Sequence, residues 1–444
     1  MCFAFHDVLD SFLDDFRPNL SSFFKSIPEE WLSAALELSS HATVRRRRLP
    51  GDMVVPLVVG MAFYRNEPIE AVVRRLNVCA DGLSLSRLPA KSGISEARQR
   101  LGDKPIERLF RQSASVWGSE RYPDDSWQGL QVFGVDGAVL RTPDTSELRA
   151  HFGGQKNSDT HQSPYPNMRL VALMNLRSHC LLDASIKPYN QNEMVMAKPM
   201  LDSIPDHSLT LFDKGFYSAD ILLGLQASGD SRHWLIPKRS NIVYEVIEEY
   251  SEGDALICCK VSPQARNKNP SLPEQWKLRM VTYEYEETRK TILTSLPQSE
   301  YKAEDIAQLY HERWEIEISF RDIKSSMLQN ELTLRSKKVE LIYQEVWGIL
   351  LAHNIIRREA SQAAVTAGGR PQDISFKFAM GVIAQNLHFM GMQSSYKNLV
   401  NQVEMTRSIV TNMFLHRRER PPNPRMVKMS KTRYPVKKNA AHLK

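Results

Sequence analysis

The chain has 444 residues, of which 42% are hydrophobic and 25% charged, and its formal net charge is +7. This length gives room for about three domains and a large core, and the composition is typical of a soluble globular protein. The first residues, MCFAFHDVLDSF, carry acids where a signal peptide has basic residues, and no apolar run approaches the ~20 residues of a membrane helix. We therefore expect neither secretion nor membrane insertion, and the basic charge favours a polyanionic partner.

The cysteines indicate the compartment. There are five, an odd number, and their spacing contains neither a C-x-x-C pair nor a zinc-finger pattern. We interpret them as free thiols in a reducing, cytoplasmic environment.

Residues 1–125 have the pattern of a helical N-terminal domain. Apolar residues recur at three-and-four spacing in IPEEWLSAALELSS and in DMVVPLVVGMAFYRNEPIEAVVRRLN, which predicts one helix in each segment. An unbroken basic run precedes the second helix and could contact DNA phosphates, or could form a solvated surface. The run consists of Arg45, Arg46, Arg47 and Arg48.

The segment SLSRLPAKSGISEARQRLG, residues 84–102, is compatible with a helix-turn-helix. In this interpretation Gly93 forms the turn, and Arg98 and Arg100 lie on a basic helix that contacts DNA. A helical hairpin with only a structural role explains the same pattern equally well.

From residue 126 to 232 strands alternate with helices. LQVFGVDGAVL, NMRLVALMNLRSHCLLDASIKP and SLTLFDKGF have the composition of strands, whereas NEMVMAKPMLDSI and SADILLGLQASG have the composition of helices. This order predicts a mixed α/β sheet flanked by helices.

The remaining chain divides into three parts. Residues 233–299 contain short alternating segments, such as ALICCKVS and KTILTSL, which predict an all-β insertion. Residues 300–395 return to helical patterns, including the core helix VELIYQEVWGILLAHNIIRREA. Residues 396–444 form a basic C-terminal region, whose tail from Arg417 carries ten cations and one acid. This tail could contact DNA phosphates, or could form a solvated basic surface.

The segment YHERWEIEISFRDIK, residues 310–324, predicts an amphipathic helix with an unusual polar face. At about 100° per residue the polar face brings one carboxylate among two cations and a phenol. These residues are Tyr310, Arg313, Glu317 and Lys324. A neighbouring apolar stripe could dock on a core, and it consists of Leu309, Ile316, Phe320 and Ile323. The cations and the hydroxyl suit phosphate oxygens and the carboxylate suits a metal, although a solvated face with i,i+4 charge pairs remains an alternative.

Two aspartates lie in apolar strands upstream. Asp136 is the single acid of VFGVDGAVL, and Asp213 ends the apolar run of LTLFDKGFYS. A carboxylate in such surroundings needs a metal or a dedicated partner to offset its desolvation. For either residue alone, a strand-end turn or a helix cap is the simpler interpretation.

Taken together with Glu317, the two aspartates predict a metal site. Three carboxylates can hold two divalent ions through oxygen ligands, for which Mg²⁺ is the preferred metal, with Mn²⁺ as a substitute. Two such ions can activate a water or a 3′-hydroxyl and stabilise the leaving oxygen in an in-line phosphoryl displacement. The sequence contains no P-loop, no H-E-x-x-H and no convincing Ser-His-Asp pattern that would predict a different chemistry.

These residues resemble a known family, the IS4 family of bacterial insertion-sequence transposases. The resemblance covers nearly the whole chain and rests on ARQRLG, VDGAVLRTPDT, DKGFYS and the spacing Tyr-x-x-Arg-x-x-x-Glu-x-x-x-x-x-x-Lys. It implies an RNase H-like catalytic fold interrupted by a β-rich insertion. It also implies that Asp136, Asp213 and Glu317 are catalytic metal ligands and that Tyr310, Arg313 and Lys324 contact phosphates at the transposon end.

The resemblance further implies a cut-and-paste reaction. A homodimer in a synaptic complex would nick double-stranded DNA at the terminal inverted repeats, form and reopen a hairpin, and join the 3′-ends to target DNA. The protein would then be cytoplasmic and nucleoid-associated when bound to DNA. An RNase H-like nuclease without strand transfer and a catalytically inactive DNA-binding derivative are the two alternatives.

One departure from the family concerns an aromatic residue on the last insertion strand, which holds a flipped base in a relative. The matching strand here, RKTILTS, has no tryptophan. Trp234 and Trp276 lie elsewhere in the insertion and are more simply interpreted as its core.

Overall fold

A computed structural model describes residues 27–39, 49–76, 89–154, 156–158, 161–285, 287–329, 333–391 and 396–415. The basic run Arg45–Arg48 and the tail from Arg417 onward lie outside these residues, so their predicted DNA contacts stay predictions.

The N-terminal part of the described chain is helical, as predicted. Its helices are α1 (Glu29–Leu36), α2 (Gly51–Phe63), α3 (Ile69–Leu76), α4 (Lys91–Leu101) and α5 (Lys104–Trp117). The sequence predicted one helix where the structure has α2 and α3. The chain turns between them and α3 starts just after Pro68, whose fixed φ and missing N–H suit the start of a helix.

Helix α4 corrects two further expectations. Gly93 lies in its first turn, so the predicted helix-turn-helix with a turn at Gly93 is wrong. Arg98 is buried, and its guanidinium donates hydrogen bonds to the side chains of Gln344, at 2.8 Å, and Ser336, at 3.0 Å. The structure therefore contradicts the predicted DNA contact of Arg98, whose hydrogen-bonding groups are used inside the fold. Arg100, on the same helix, is only half-buried and its DNA contact stays a prediction.

A ten-stranded sheet forms the centre of the molecule. Its first strands are β1 (Ser126–Trp127), β2 (Leu130–Arg141), β5 (Asn167–Asn175), β6 (Leu181–Pro188), β7 (Ser208–Phe212) and β8 (Arg232–Pro237). The strands β3 (Lys156–Ser158) and β4 (His161–Gln162) form a separate two-stranded ribbon. The order is β6-β5-β2-β7-β8, with β2, β5 and β6 antiparallel and with β7 and β8 parallel to β2. This order and direction are those of the RNase H-like fold, and the predicted mixed sheet is confirmed.

The predicted insertion continues the same sheet. Its strands are β9 (Tyr244–Ser251), β10 (Asp254–Lys260), β11 (Gln275–Tyr285) and β12 (Thr288–Thr294), and β12 pairs antiparallel with β8. A six-residue helix, α9 (Pro263–Lys268), interrupts the strands, so the insertion is β-rich but not all-β. The sheet crosses the predicted domain boundary at residue 232, because β8 pairs with β7 on one side and with β12 on the other.

Alternate residues of the sheet face two separate cores. Val132, Ala138 and Leu140 of β2 pack with the N-terminal helices and the long C-terminal helix in what we call the first core. Phe133 and Val135 face the second core, which the sheet shares with the insertion. The remaining helices that cover these faces are α6 (Ser146–Phe152), α7 (Glu193–Ala197), α8 (Ala219–Ala227), α12 (Val339–Thr366), α13 (Phe376–Gly391) and α14 (Tyr396–Val410). Within the described ranges, no helix combines the length and apolar character needed to cross a membrane.

The segment predicted as a single helix around Glu317 is a helical rod of four parts. It consists of α10 (Ala303–Tyr310), a 3₁₀ turn (His311–Arg313), α11 (Trp314–Arg321) and a π-helical segment (Asp322–Met327). The predicted apolar stripe is confirmed, since Leu309, Ile316, Phe320 and Ile323 are all buried in the first core. This stripe fixes the rod beside β2 and leaves its polar face toward the strand ends.

Arg98 supplies a test of the corrected N-terminal region. We expect Arg98→Ala to lower the free energy of unfolding by about 3 kcal/mol, because it leaves buried groups of α12 without hydrogen-bond partners. Arg100→Ala on the same helix should change it by less than about 1 kcal/mol. Urea unfolding of both variants measures this difference, and equal stabilities would contradict a structural role for Arg98.

Candidate active site

The two predicted aspartates lie beside each other where the parallel pairing of β2 and β7 ends. The parallel register of β2 and β7 ends with the pair Val135 and Phe212, and Asp136 and Asp213 are the next residues of the two chains. Both follow residues of the second core, so both side chains face the side on which the helical rod packs. The register thus unites two acids that are 77 positions apart in the sequence.

Gly137 has a steric role beside Asp136. A Cβ at this position would lie 2.8 Å from Oε1 of Glu193, which is ion-paired with Arg169. The backbone N–H of Gly137 also donates to the Asp136 carboxylate, at 2.7 Å. The glycine after the aspartate therefore permits close packing of α7 under the site.

The turn after β7 holds Asp213. Its carboxylate accepts a hydrogen bond from the backbone N–H of Gly215, at 3.1 Å. Arg239, which follows β8, donates to the carbonyl oxygens of Lys214 and Gly215, both at 2.7 Å. Arg239 was not singled out by the sequence, because its partners are backbone atoms of a distant turn.

Arg313 links the rod to the sheet. Its Nη2 lies 2.8 Å from Oε1 of Glu317, and its Nη1 lies 4.0 Å from Oδ2 of Asp136. Asp136 and Glu317 are therefore within reach of one guanidinium. Burial raises the pKa of Asp136, and the charges of Asp213 and Glu317 raise it further, although Gly137 and Arg313 oppose the change.

Tyr310 and Lys324 complete the predicted polar face. Burial raises the pKa of the Tyr310 phenol, whose neighbours include Arg313 and Asp213. Burial lowers the pKa of Lys324, and the nearby Asp136 carboxylate opposes this shift. Each of these two side chains is thus influenced by at least one aspartate of the site, and the phenol stays protonated at neutral pH.

The three carboxylates do not converge as a ready-made metal cage. Among the described residues, no group of three or more His, Cys, Asp or Glu side chains is close enough to hold a metal ion as it stands. The guanidinium of Arg313 lies between Asp136 and Glu317 and neutralises part of their charge. One carboxylate oxygen of Glu317 is therefore paired with Arg313.

The tryptophans separate into core and surface. Trp234 and Trp276 are buried and pack against each other with ring centroids 5.6 Å apart, which confirms their interpretation as core. Trp314 has 58% of its surface exposed, and it lies four residues after Tyr310 and three before Glu317. It therefore lies on the same side of the rod as these residues, a position that its spacing alone would have indicated.

Comparisons with known proteins identify the family. A family model described as "Transposase DDE domain" matches residues 127–355, and one described as "Insertion element 4 transposase N-terminal" matches residues 17–111. The transposase InsG for insertion sequence element IS4 of Escherichia coli K12 is 36% identical over 429 residues, which cover 95% of each chain. The chain belongs to the IS4 family of transposases.

Two further similarities accompany this assignment. The InsZ protein of Escherichia coli K12 is 54% identical over 231 residues, which are 52% of this chain and 76% of InsZ. A cryo-EM structure of the piggyBac transposase synaptic complex with hairpin DNA covers 90% of this chain and 84% of that chain, with a TM-score of 0.42 and 11% identity. A likeness this distant carries no argument here.

As an IS4-family transposase, the protein is a DNA transposase of an insertion sequence and depends on a divalent metal through its DDE domain. The catalytic domain match spans both aspartates, Glu317 and the inserted strands between them.

The raised pKa of Asp136 predicts that the site costs stability. Above the folded-state pKa the buried carboxylate is charged at an energetic cost that the unfolded chain does not bear, and the cost disappears below the unfolded-state pKa. We therefore expect Asp136→Asn to raise the thermal unfolding midpoint of the metal-free protein at pH 7 but not near pH 3. Calorimetry at both pH values measures the two midpoints, and Asp202→Asn at an exposed position is the control. A lower midpoint for Asp136→Asn than for the wild type at pH 7 would contradict the prediction.

Proposed function

We propose that this transposase cleaves DNA at the ends of its insertion sequence and joins the 3′-ends to target DNA, with Asp136, Asp213 and Glu317 as metal ligands. The observation that carries the proposal is the position of Asp136, which lies next to Asp213 through the strand register and beside Glu317 through Arg313. We expect two Mg²⁺ ions, with Mn²⁺ as a substitute, because all three donors are carboxylate oxygens.

The electrostatics of the residues fit divalent ions. The three acids are partly shielded from solvent, and their mutual repulsion contributes to the raised pKa of Asp136. When bound, the ions would activate the attacking water or 3′-hydroxyl and stabilise the leaving oxygen. A divalent cation also removes the repulsion among the acids more fully than the single charge of Arg313.

The cations of the rod are suited to the scissile phosphate. Arg313 is placed to exchange a carboxylate partner for a phosphate oxygen, and its planar guanidinium can bind such a group through two hydrogen bonds. Lys324 adds a compact positive charge near Asp136, and the protonated hydroxyl of Tyr310 can donate a hydrogen bond. These three residues would hold the phosphate against the metal ligands and orient it for in-line attack.

The assembly that performs the reaction is part of the proposal. We expect a homodimer in the synaptic complex, double-stranded DNA at the terminal repeats and at the target, and a location at the nucleoid. The four-arginine run and Arg100 remain the candidates for phosphate contacts in the N-terminal region, and Arg98 is excluded by its burial.

The carboxylates supply the main test. We expect Asp136→Asn, Asp213→Asn and Glu317→Gln each to reduce cleavage and joining of donor ends by on the order of 10³-fold or more, with end binding retained. Glu304→Gln, an exposed acid on α10 of the same rod, is the matched control and should remain active. Supercoiled donor and target DNA with Mg²⁺ should be resolved on gels for nicked, excised and joined products.

Retained joining in any of the three carboxylate variants would refute that residue as a ligand. Cleavage without any joined product in the wild type would instead favour a nuclease without strand transfer. No metal-dependent cleavage by the wild type, with normal end binding, would favour a catalytically inactive DNA-binding derivative.

Trp314 has the exposure and location to stack on an unpaired base near the scissile phosphate. Base stacking contributes about 1–3 kcal/mol, so Trp314→Ala should weaken binding of an end with an unpaired base by roughly 5- to 150-fold, whereas Trp314→Phe should retain most of it. Tyr250→Ala on the distant edge strand β9 is the control. Fluorescence anisotropy with paired and unpaired ends measures the effect, and equal losses on both ends would contradict stacking.

A further inference from the structure

The helical rod has a second polar stripe that the catalytic residues do not use. Its four residues follow one another at spacings of three, four and three, which places their side chains on one side of the rod, opposite Glu317 and Lys324. We call it the rear stripe, and it consists of Glu312, Glu315, Ser319 and Asp322.

The first half of the rear stripe contacts the turn between β5 and β6. Glu312 pairs with Arg177 at 3.1 Å, and Nε2 of the buried His179 lies 2.9 Å from the Glu315 carboxylate. His179 has a φ of +59°, an uncommon conformation for a residue other than glycine. The side chain of Asn175 accepts hydrogen bonds from two backbone N–H groups of this turn, which stabilises the conformation.

The second half of the rear stripe contacts α12 in the protein interior. The hydroxyl of Ser319 lies 3.1 Å from Nε2 of His353, and both residues are buried. Asp322 forms an ion pair with Arg357, whose side chain is 3% exposed. The guanidinium of Arg357 also lies over the ring of Phe376, at 4.8 Å from its centroid.

Stability alone is a poor explanation for a buried ion pair at this place. Such pairs are often no more stabilising than apolar side chains of similar volume, because desolvation offsets the attraction. The location of the Asp322–Arg357 pair is more informative. Asp322 is the first residue of the π-helical segment, and Lys324 lies two residues further along this segment.

The π-helical segment determines the direction of Lys324. An additional residue in the helical turn rotates every following side chain relative to an α-helix. Lys324 shares the polar face of the rod with Arg313, whose Nη1 lies 4.0 Å from Asp136, and the Asp136 charge opposes the lowering of the Lys324 pKa by burial. The point at which the π segment begins therefore affects which side chain meets the carboxylates.

We propose that Arg357 is a positioning residue, which fixes Asp322 at the start of the π segment and thereby directs Lys324 toward Asp136. Among the described residues Arg357 lies behind the rod with 3% of its side chain exposed, and its ion-pair partner is Asp322 rather than Asp136, Asp213 or Glu317. The catalytic consequence rests on the proposed function, in which Lys324 holds the scissile phosphate.

A double-mutant cycle tests whether Arg357 acts through Lys324. We expect Arg357→Met to slow cleavage in preassembled protein–end complexes by about tenfold in the wild-type background and less than about twofold in a Lys324→Ala background. Arg357→Lys, which keeps the charge, should restore part of the rate. Asp322→Asn is the second variant and should reproduce the loss if Arg357→Met does not fold.

The matched control is another buried ion pair. Arg279 and Asp254 are 3% and 4% exposed and lie in the insertion, away from the rod. Arg279→Met should lower thermal stability as Arg357→Met does, but it should leave the cleavage rate of assembled complexes within about twofold. Equal slowing by both variants, or full additivity of Arg357→Met with Lys324→Ala, would overturn the proposal.

A second measurement separates the positioning role from the proposed function. Acetic anhydride labelling of Lys324, relative to the exposed Lys260, is followed by mass spectrometry without DNA or metal. We expect the ratio of Lys324 labelling to Lys260 labelling to change by about threefold or more in Arg357→Met and Asp322→Asn and to stay constant in Arg279→Met. A changed ratio in a protein that cuts no DNA would support the positioning and refute the function, whereas an unchanged ratio in an active protein would overturn the positioning alone.

Discussion

The guanidinium of Arg313 is the interaction on which the site depends. It pairs with Glu317 on its own helical rod and lies 4.0 Å from Asp136 on the sheet, so it joins the two structural elements that carry the acids. Without this cation, three half-buried carboxylates would repel one another across the gap between rod and sheet. The same group is suited to phosphate once the acids have another counter-charge, which connects the folded apo protein with its activity on DNA.

The sheet and the rod supply the precision that this electrostatic arrangement requires. The register of β2 and β7 fixes the two aspartates side by side, and a slip of one residue would turn one of them to the opposite face. The apolar stripe fixes one side of the rod against the first core, and the rear stripe fixes another through the β5–β6 turn and α12. Packing on two sides leaves the rod little freedom to rotate, which keeps its polar face on the side of the two aspartates.

The insertion between Asp213 and Glu317 is part of the same scaffold. Because β12 pairs with β8, the inserted strands continue the catalytic sheet and share its second core, where Trp234 and Trp276 pack together. The insertion is therefore positioned by the hydrogen bonds of the sheet and by buried aromatic packing. The exposed Trp314 on the rod, and not these buried rings, is the residue that we propose for base stacking.

The sequence alone determined most of the elements and the candidate site residues. Apolar composition predicted β2, β7 and the segment that contains β5 and β6, and helical periodicity predicted α12 and the buried stripe of the rod, because these patterns follow from local geometry and from which face is buried. A charged residue in an apolar strand, as at Asp136, also marks a candidate functional residue from the local sequence.

Tertiary structure alone decided which residues contact one another. Arg98 is buried because it hydrogen-bonds to Gln344, which is distant in the sequence. Arg357 forms an ion pair with Asp322 behind the rod. The insertion continues the sheet because β12 pairs with β8. These outcomes depend on long-range packing and hydrogen bonding between segments, which residue patterns within one segment do not encode.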